Sequence, residues 1–225
     1  ALKGTTGIAG NILNTIYIIL LTLLVAAPVG IGSAIYLNEY AKPGKIVKII
    51  EFTTETLAGI PSIIYGLFGM VFFGISLHLG YSILCGSLTL TLMVLPIIIR
   101  TTQEALKTVP LGYRTGALGI GATKWYMIRT IILPSAMPGI VTAVILSVGR
   151  IVGESAALLF TAGSAYLLPK NLFSHVLTSG GTLTIQMYLS MSKADYGNAF
   201  AIALVLIVVV LAINALTKVA TKKLS

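Results

Sequence analysis

Apolar residues dominate five stretches of the chain, and polar or charged positions bound each of them. The stretches cover residues 14–37, 57–77, 82–99, 134–160 and 196–217. Each approaches or exceeds the roughly 20 apolar residues that a helix needs to cross a hydrocarbon core about 30 Å thick. Helices satisfy their own backbone hydrogen bonds in lipid, and the alternating pattern of outer-membrane barrel strands is absent from the sequence. The pattern predicts an all-α polytopic membrane protein with five spans in this chain.

The composition excludes a water-soluble fold. Hydrophobic residues make up 56% of the 225 positions and charged residues only 9%, and the mean hydropathy is +0.99. Soluble domains carry about 25% charged residues. The net charge of +9 is typical of membrane proteins whose cytoplasmic loops collect Lys and Arg, and no aromatic residues alternate with basic clusters as in a nucleic-acid surface. We therefore expect membrane lipid, and no nucleic acid, as a partner.

The distribution of basic residues predicts the orientation. With a cytoplasmic C-terminus, segments 38–56, 100–130 and 218–225 lie inside and hold eleven of the 15 Lys and Arg residues, whereas the outer segments hold three. This asymmetry follows the positive-inside rule. Five spans then place residue 1 outside, which predicts a preceding sixth span that is missing from this sequence. We expect a multi-pass protein of the cytoplasmic (inner) membrane.

One permease domain over residues 1–225 is predicted, with two long connections. Residues 103–133 form the longest inside connection, where Pro110 and three glycines predict a short helix, a bend and a second helix. It reads either as an interfacial amphipathic helix or as a docking element for a soluble partner. Residues 161–195 form an outer loop, in which His175, like His78 on the same side, is expected at the surface.

No catalytic or metal-binding constellation is visible in the sequence. No Ser/His pair, paired Asp or metal-spaced cluster converges at one membrane depth, so we expect no catalytic residue, no metal ligand and no enzyme activity in this chain. The pattern G-x-x-x-x-G-K-[ST] of a P-loop ATPase is also absent. Any ATP and Mg²⁺ would therefore be bound by a partner ATPase and not by this chain.

Charged residues occur inside the fourth apolar stretch, in the sequence GRIVGES at 149–155. Arg150 and Glu154 are four residues apart, which predicts that they share one helix face. They could form an ion pair that only orients the helix, or line an anion pathway in which Arg150 meets the substrate and Glu154 tunes it, with Ser155 as a further hydrogen-bond donor. Gly149 and Gly153 predict close helix packing beside them.

The inside connection resembles the signature of ABC-importer permeases: Glu-Ala-Ala, three residues, Gly, nine residues, then Ile-x-Leu-Pro. Here Thr115-Gly116-Ala117 is followed by Gly121 and then by Ile131-Ile132-Leu133-Pro134, so the spacing fits although Thr and Gly replace the usual Glu and Ala. In that family the loop forms a coupling helix that sits on the ATPase subunit. The resemblance implies that this contact involves Thr115, Gly116, Ala117, Gly121, Trp125, Ile131, Leu133 and Pro134.

A second resemblance covers essentially the whole chain. GRIVGESAALLFTAG is similar to the G-R-x-x-G-E-x-A…T-A-G stretch of PstA-type phosphate-importer permeases, and LNEYAKPGK, GIPSIIYGLFG and GATKW occur in that family's order. The resemblance implies a type I ABC-importer permease bundle that moves phosphate by alternating access. Its implied partners are a second related permease, two copies of an ATPase subunit and an extracytoplasmic phosphate-binding protein. Molybdate and sulfate permeases share the coupling loop and a similar Arg-Gly-Glu stretch, so another oxyanion is an alternative substrate. An ATP-independent channel or carrier is a further alternative.

Overall fold

The computed structural model describes residues 8–165 and 174–224, with side chains described as far as residue 215. Every regular element in these ranges is a helix, so the predicted all-α fold is confirmed. The α-helices are α1 (Ala9–Ile35), α2 (Lys45–Ala58), α3 (Ser62–Gly69), α4 (Ile83–Lys107), α5 (Leu111–Gly119), α6 (Lys124–Met127), α7 (Leu133–Val152), α8 (Ala156–Thr161), α9 (Leu183–Ser192) and α10 (Tyr196–Leu224); π-helical segments cover Tyr36–Tyr40, Met70–Ser76 and Ile128–Ile132, and a 3₁₀ turn covers Ser174–Leu177.

Four continuous helical segments in the described part of the chain are long and apolar enough to cross a membrane. They are Ala9–Tyr40, Ile83–Lys107, Lys124–Val152 and Tyr196–Ala215. The first, third and fifth predicted spans, 14–37, 82–99 and 196–217, lie within these segments or largely overlap them. Helix α4 continues to Lys107, beyond the predicted end at residue 99.

The second predicted span, 57–77, begins too early, because the continuous helical segment within it is Ser62–Ser76. Helix α2 ends at Ala58, and Lys45–Ala58 meets Ser62–Ser76 at a bend of 102°. Pro61 lies at the break with φ −58° and ψ 139°, and an extended residue without an N–H cannot continue a helix. Residues 62–76 alone reach about 22 Å at 1.5 Å per residue. The pair is therefore a broken span or a re-entrant segment.

The fourth predicted span, 134–160, is wrong at its end, whereas the second helix of the inside connection runs into its start as predicted. The helix begins at Lys124, because α6, the π-helical segment Ile128–Ile132 and α7 are continuous. It ends at Val152, and α8 begins only at Ala156. The buried carboxylate of Glu154 accepts a hydrogen bond of 3.0 Å from the Ala157 N–H. This bond satisfies a free donor at the start of α8 and so favours a new helix over continuation of α7.

The described residues pack as two compact units, and α1, α4, α7 and α10 contribute to both. The single permease domain over residues 1–225 remains a prediction. Unit 1 comprises residues 8–25, 60–93, 148–165 and 174–212, and unit 2 comprises residues 26–59, 94–147 and 213–224.

Small and polar side chains hold unit 1 together. A Cβ placed on Gly66 of α3 would lie 2.7 Å from the Ala157 Cα of α8, so these helices approach at backbone distance. Thr91 Oγ1 of α4 donates to the Thr22 carbonyl of α1 at 3.4 Å, and Thr22 Oγ1 donates to the Ser87 carbonyl at 3.3 Å. Such contacts hold helices together in lipid, where hydrophobicity gives no driving force between them.

One buried histidine attaches part of the predicted outer loop, 161–195, to α1. Residues 166–173 of this loop lie outside the described residues. The expectation that His175 lies at the surface is wrong: it is 6% exposed, and its Nε2 lies 2.7 Å from Asn14 Oδ1. Its Nδ1 lies 3.0 Å from Thr178 Oγ1. His78 is exposed as expected. His175 thus fixes the 3₁₀ turn Ser174–Leu177 to α1.

We expect acidification to destabilise unit 1 through His175. Burial lowers the pKa of His175 below its ordinary value of 6.5. The unfolded chain therefore binds a proton more readily than the folded chain, so stability is full above pH 6.5 and falls as the pH drops towards the folded pKa. The melting temperature in detergent should decrease between about pH 8 and about pH 5.5.

The variant His175→Gln provides the control for this pH dependence. It should be less stable at the higher pH, because the contact with Asn14 is altered, and its melting temperature should depend less on pH. An equal pH dependence in both proteins would assign the effect to other groups.

Candidate functional site

The inside connection folds as the predicted short helix, bend and second helix. Pro110 precedes α5, and Gly121 ends the turn after it with φ +84°, a backbone conformation that favours glycine. Thr123 Oγ1 then accepts a hydrogen bond of 3.3 Å from the Tyr126 N–H and caps α6. From α6 the chain continues without a break into α7. We call residues 111–127 the coupling segment.

One side of the coupling segment is buried in unit 2. Ala117 of α5 and Met127 of α6 belong to a cluster of buried apolar residues that also contains Leu106 and Ile132. Ile131 and Leu133 are partly buried and pack against the same cluster. The residues that resemble the Ile-x-Leu-Pro motif therefore anchor the segment to the helix that follows it, whereas Pro134 is exposed.

The other side of the coupling segment exposes large apolar side chains. Ile120 is 87% exposed and Trp125 is 62% exposed, so neither side chain joins Ala117 in the buried cluster. The turn at Gly121 rotates them away from the buried cluster. An exposed apolar patch of this kind marks an interaction surface. The exposed set is Leu111, Tyr113, Leu118, Ile120, Trp125 and Tyr126.

The first motif positions, Thr115 and Gly116, are exposed on α5. The Thr115 hydroxyl lies 3.3 Å from the Leu111 and Gly112 carbonyls of its own helix. It is thus satisfied locally and leaves no charge where the family pattern has Glu.

Arg150 lies in the last turn of α7 and is exposed. Its Nη2 lies 4.0 Å from Met93 Sδ of α4. Among the residues that the structure describes, no carboxylate pairs with Arg150. A guanidinium keeps its charge in apolar surroundings and offers five N–H donors. The site therefore presents a positive charge that no carboxylate of the described residues neutralises.

Glu154 does not share a helix face with Arg150, because α7 ends at Val152. The Glu154 carboxylate caps α8, and its carbonyl accepts a hydrogen bond of 2.9 Å from Thr184 Oγ1 of α9. Ser155 is half-buried and immediately precedes α8. The structure thus brings Glu154 and Ser155 together at the break after α7, with Glu154 bonded to backbone and not to Arg150.

The predicted close packing at Gly149 and Gly153 is not present within the described chain. A Cβ on Gly149 would meet nothing within 4 Å, and one on Gly153 would meet only the Gly149 carbonyl, at 3.4 Å. Both glycines are exposed. Close approaches occur instead at other glycines, among them Gly66 in the stretch GIPSIIYGLFG.

No group of three or more His, Cys, Asp or Glu side chains that could hold a metal ion occurs within residues 8–165 and 174–224.

Comparison with protein families gives a match to the binding-protein-dependent transport system inner membrane component over residues 26–225. A probable ABC transporter permease protein, YqgI of Bacillus subtilis, is 39% identical over 72% of this chain and 55% of its own length. A phosphate transport system permease protein PstA homolog of Mycoplasma pneumoniae is 41% identical over 82% of this chain and 28% of its own length. The chain thus spans about half or less of these two curated relatives.

Other relatives named as PstA phosphate permeases are 33 to 38% identical to this chain. The resemblance to PstA-type permeases is therefore confirmed. Among solved structures, the inward-facing MetNI methionine ABC transporter contains a chain with a TM-score of 0.72 and 21% identity, covering 97% of this chain and 94% of that one. This likeness shows a shared fold and confirms the predicted permease bundle.

Proposed function

This chain belongs to the family of binding-protein-dependent transport system inner membrane components, and we propose that it is a permease subunit of an ATP-driven importer of inorganic phosphate. Transport would proceed by alternating access across the cytoplasmic membrane. Support for phosphate comes from the relatives named as PstA permeases. The structural observation that carries the proposal is the exposed Arg150 in a membrane-spanning helix, without a carboxylate partner among the described residues.

Arg150 is proposed to contact the transported anion. A charge inside a membrane span usually faces a bundle interior or an aqueous cavity, because exposure to lipid is costly. The planar guanidinium can give two parallel, charge-assisted hydrogen bonds to one tetrahedral oxyanion. The pathway would lie between this chain and a second related permease, so one exposed face of unit 1 would form one wall.

Glu154 and Ser155 are proposed to shape the pathway beside Arg150. The Glu154 carboxylate is buried and holds the first turn of α8. In this position it keeps α7 from extending past Val152, and its negative charge limits how tightly an anion is held nearby. Ser155, half-buried at the same break, has a hydroxyl that could donate to the anion.

The partners are proposed from the coupling segment. Its exposed apolar side would dock on an ATPase subunit, with one copy for each of the two permeases, and ATP and Mg²⁺ would be bound there. The C-terminus would then be cytoplasmic, as the basic residues predict. An extracytoplasmic phosphate-binding protein would deliver the anion on the opposite side of the membrane. An ATP-independent channel would leave the exposed side of the coupling segment without a role.

Competition during uptake tests the substrate. The complete transporter, with its binding protein, is reconstituted in vesicles, and ATP-dependent uptake of radiolabelled phosphate is measured in a large excess of sulfate, molybdate or unlabelled phosphate. We expect only unlabelled phosphate to compete. Inhibition by molybdate or sulfate would keep the importer class and overturn phosphate as the substrate. Uptake without ATP would contradict the importer itself.

A further inference from the structure

Helix α5 of the coupling segment has few apolar contacts that could hold it in place. Of its nine residues only Ala117 is buried. Three of the nine are glycines, and a Cβ on Gly112, Gly116 or Gly119 would meet nothing within 4 Å. A helix that transmits a displacement must be attached to the helices that it moves. Because α5 has few apolar contacts, polar contacts must provide most of its attachment to its neighbours.

Arg114 makes the contacts that α5 otherwise lacks. Its Nη1 donates to the Val109 carbonyl at 2.8 Å, and its Nη2 donates to the Leu106 carbonyl of α4 at 2.9 Å. The same Nη2 lies 2.9 Å from Glu39 Oε1, and Nε lies 3.3 Å from that atom. One planar side chain therefore joins α5 to the end of α4 and to the π-helical segment that ends the first span.

Glu39 is placed to act as a fixed partner of Arg114. Its side chain is 5% exposed and that of Arg114 is 18% exposed, so solvent screens this pair far less than a surface pair. The Asn38 side-chain amide donates to Glu39 Oε1 at 2.8 Å. The carboxylate therefore has more than one donor, as a buried charge requires.

A second contact joins the coupling segment to the same π-helical segment. Lys124 of α6 places its ammonium group 5.0 Å from the centre of the Tyr40 ring, within the range of a cation–π interaction. Both helices of the coupling segment thus contact Tyr36–Tyr40, one through Glu39 and one through Tyr40. Short π-helical segments are rare in proteins and are frequent at functional sites.

We propose that the Arg114–Glu39 pair is the joint through which movement of the coupling segment reaches the membrane helices. When the ATPase displaces α5, the pair transfers that displacement to the ends of α1 and α4. Arg114 and Glu39 are positioning residues in this proposal and contact no substrate. The inference rests on the proposed function, in that α5 must dock on an ATPase.

The test separates coupling from assembly. Glu39→Gln and Arg114→Met are introduced into the complete transporter in vesicles, and ATP hydrolysis and anion uptake are measured together. We expect uptake to fall about tenfold while hydrolysis changes much less, so that more ATP is consumed per anion; coupling free energies between sites typically correspond to 5- to 150-fold effects. Arg114→Lys, which keeps one charge contact, should recover part of the coupling.

The matched control is Glu55→Gln. Glu55 pairs with Arg100 in the same unit, but this pair is largely exposed, with 53% and 43% of the two side chains accessible. We expect the ratio of ATP to transported anion to remain at the native value. A proportional fall of uptake and hydrolysis in Glu39→Gln, or no change in their ratio, would overturn the proposal.

A spectroscopic measurement covers the case in which the variants do not assemble with the ATPase. Spin labels are placed at Lys42 and Gly112, both exposed, in the full chain. The distance distribution should be narrow in the native chain and broad in Glu39→Gln, and an unchanged distribution would overturn the joint. This measurement needs neither uptake nor phosphate, so its failure is distinct from failure of the proposed substrate.

Discussion

Arg150→Gln is expected to reduce ATP-dependent phosphate uptake by about 100-fold. Each charge-assisted hydrogen bond contributes about 1.5–3 kcal/mol, and two of them to one oxyanion would be lost, whereas 1.4 kcal/mol corresponds to a tenfold change. Arg150 is exposed and has no carboxylate partner among the described residues. Its replacement therefore does not deprive any of their carboxylates of a counter-ion. The variant should therefore assemble normally and bind the ATPase as the native chain does.

Two further variants separate geometry from charge. Arg150→Lys keeps the charge but loses the planar pair of donors, so we expect uptake between that of the native protein and that of Arg150→Gln. Arg100→Gln removes the same charge from the exposed pair that Arg100 of α4 forms with Glu55 of α2 and should leave uptake close to the native level. Native uptake by Arg150→Gln would remove Arg150 from the pathway, while a fall accompanied by lost assembly would assign it a structural role.

The parts of the fold that local sequence determines were predicted well. The span of α10 follows from a run of apolar residues without a charge, and the coupling segment follows from Pro110 and the glycines around Gly121. The first depends on hydrophobicity summed over the run, and the second on residues whose own backbone preference sets the outcome. For this reason the helix, bend and second helix could be predicted without any knowledge of tertiary contacts.

The signals for the two broken helices were present but were outweighed by hydrophobicity. Pro61 lies within the stretch assigned to the second span, and Gly153 lies in the break between α7 and α8. The i, i+4 spacing of Arg150 and Glu154 indicates a shared face only if the helix continues through both. Glu154 instead caps Ala157, a local bond that competes with continuation of the helix.

Burial of His175 could not be predicted from local sequence. Its partner Asn14 is 161 residues away along the chain, and neither residue lies in a motif that suggests the contact. The Arg114–Glu39 contact is similar, since its two residues are separated by 75 positions. The rotation of Ile120 and Trp125 away from the buried cluster likewise depends on the turn at Gly121, which helical periodicity does not take into account.

Ile120→Asp is expected to weaken binding of the ATPase to the permease by about 30-fold. Ile120 is 87% exposed and lies among other exposed apolar residues of the coupling segment, including Leu118 and Trp125. A large residue at the centre of such a patch typically contributes 2 kcal/mol or more to binding, and a buried unpaired carboxylate adds a further penalty. The measurement is the affinity of the purified ATPase subunit for the permease, together with uptake.

Ile120→Val is the matched control, since it keeps an apolar side chain at the same exposed position and should bind the ATPase nearly as the native chain does. Because Ile120 makes little contact within the chain, neither substitution should change the melting temperature of the permease by more than a small amount. A native affinity in Ile120→Asp would show that the exposed side of the coupling segment faces something other than the ATPase. A lowered affinity with an unchanged melting temperature would place the ATPase on this surface, because in that case the binding energy has changed and the fold has not.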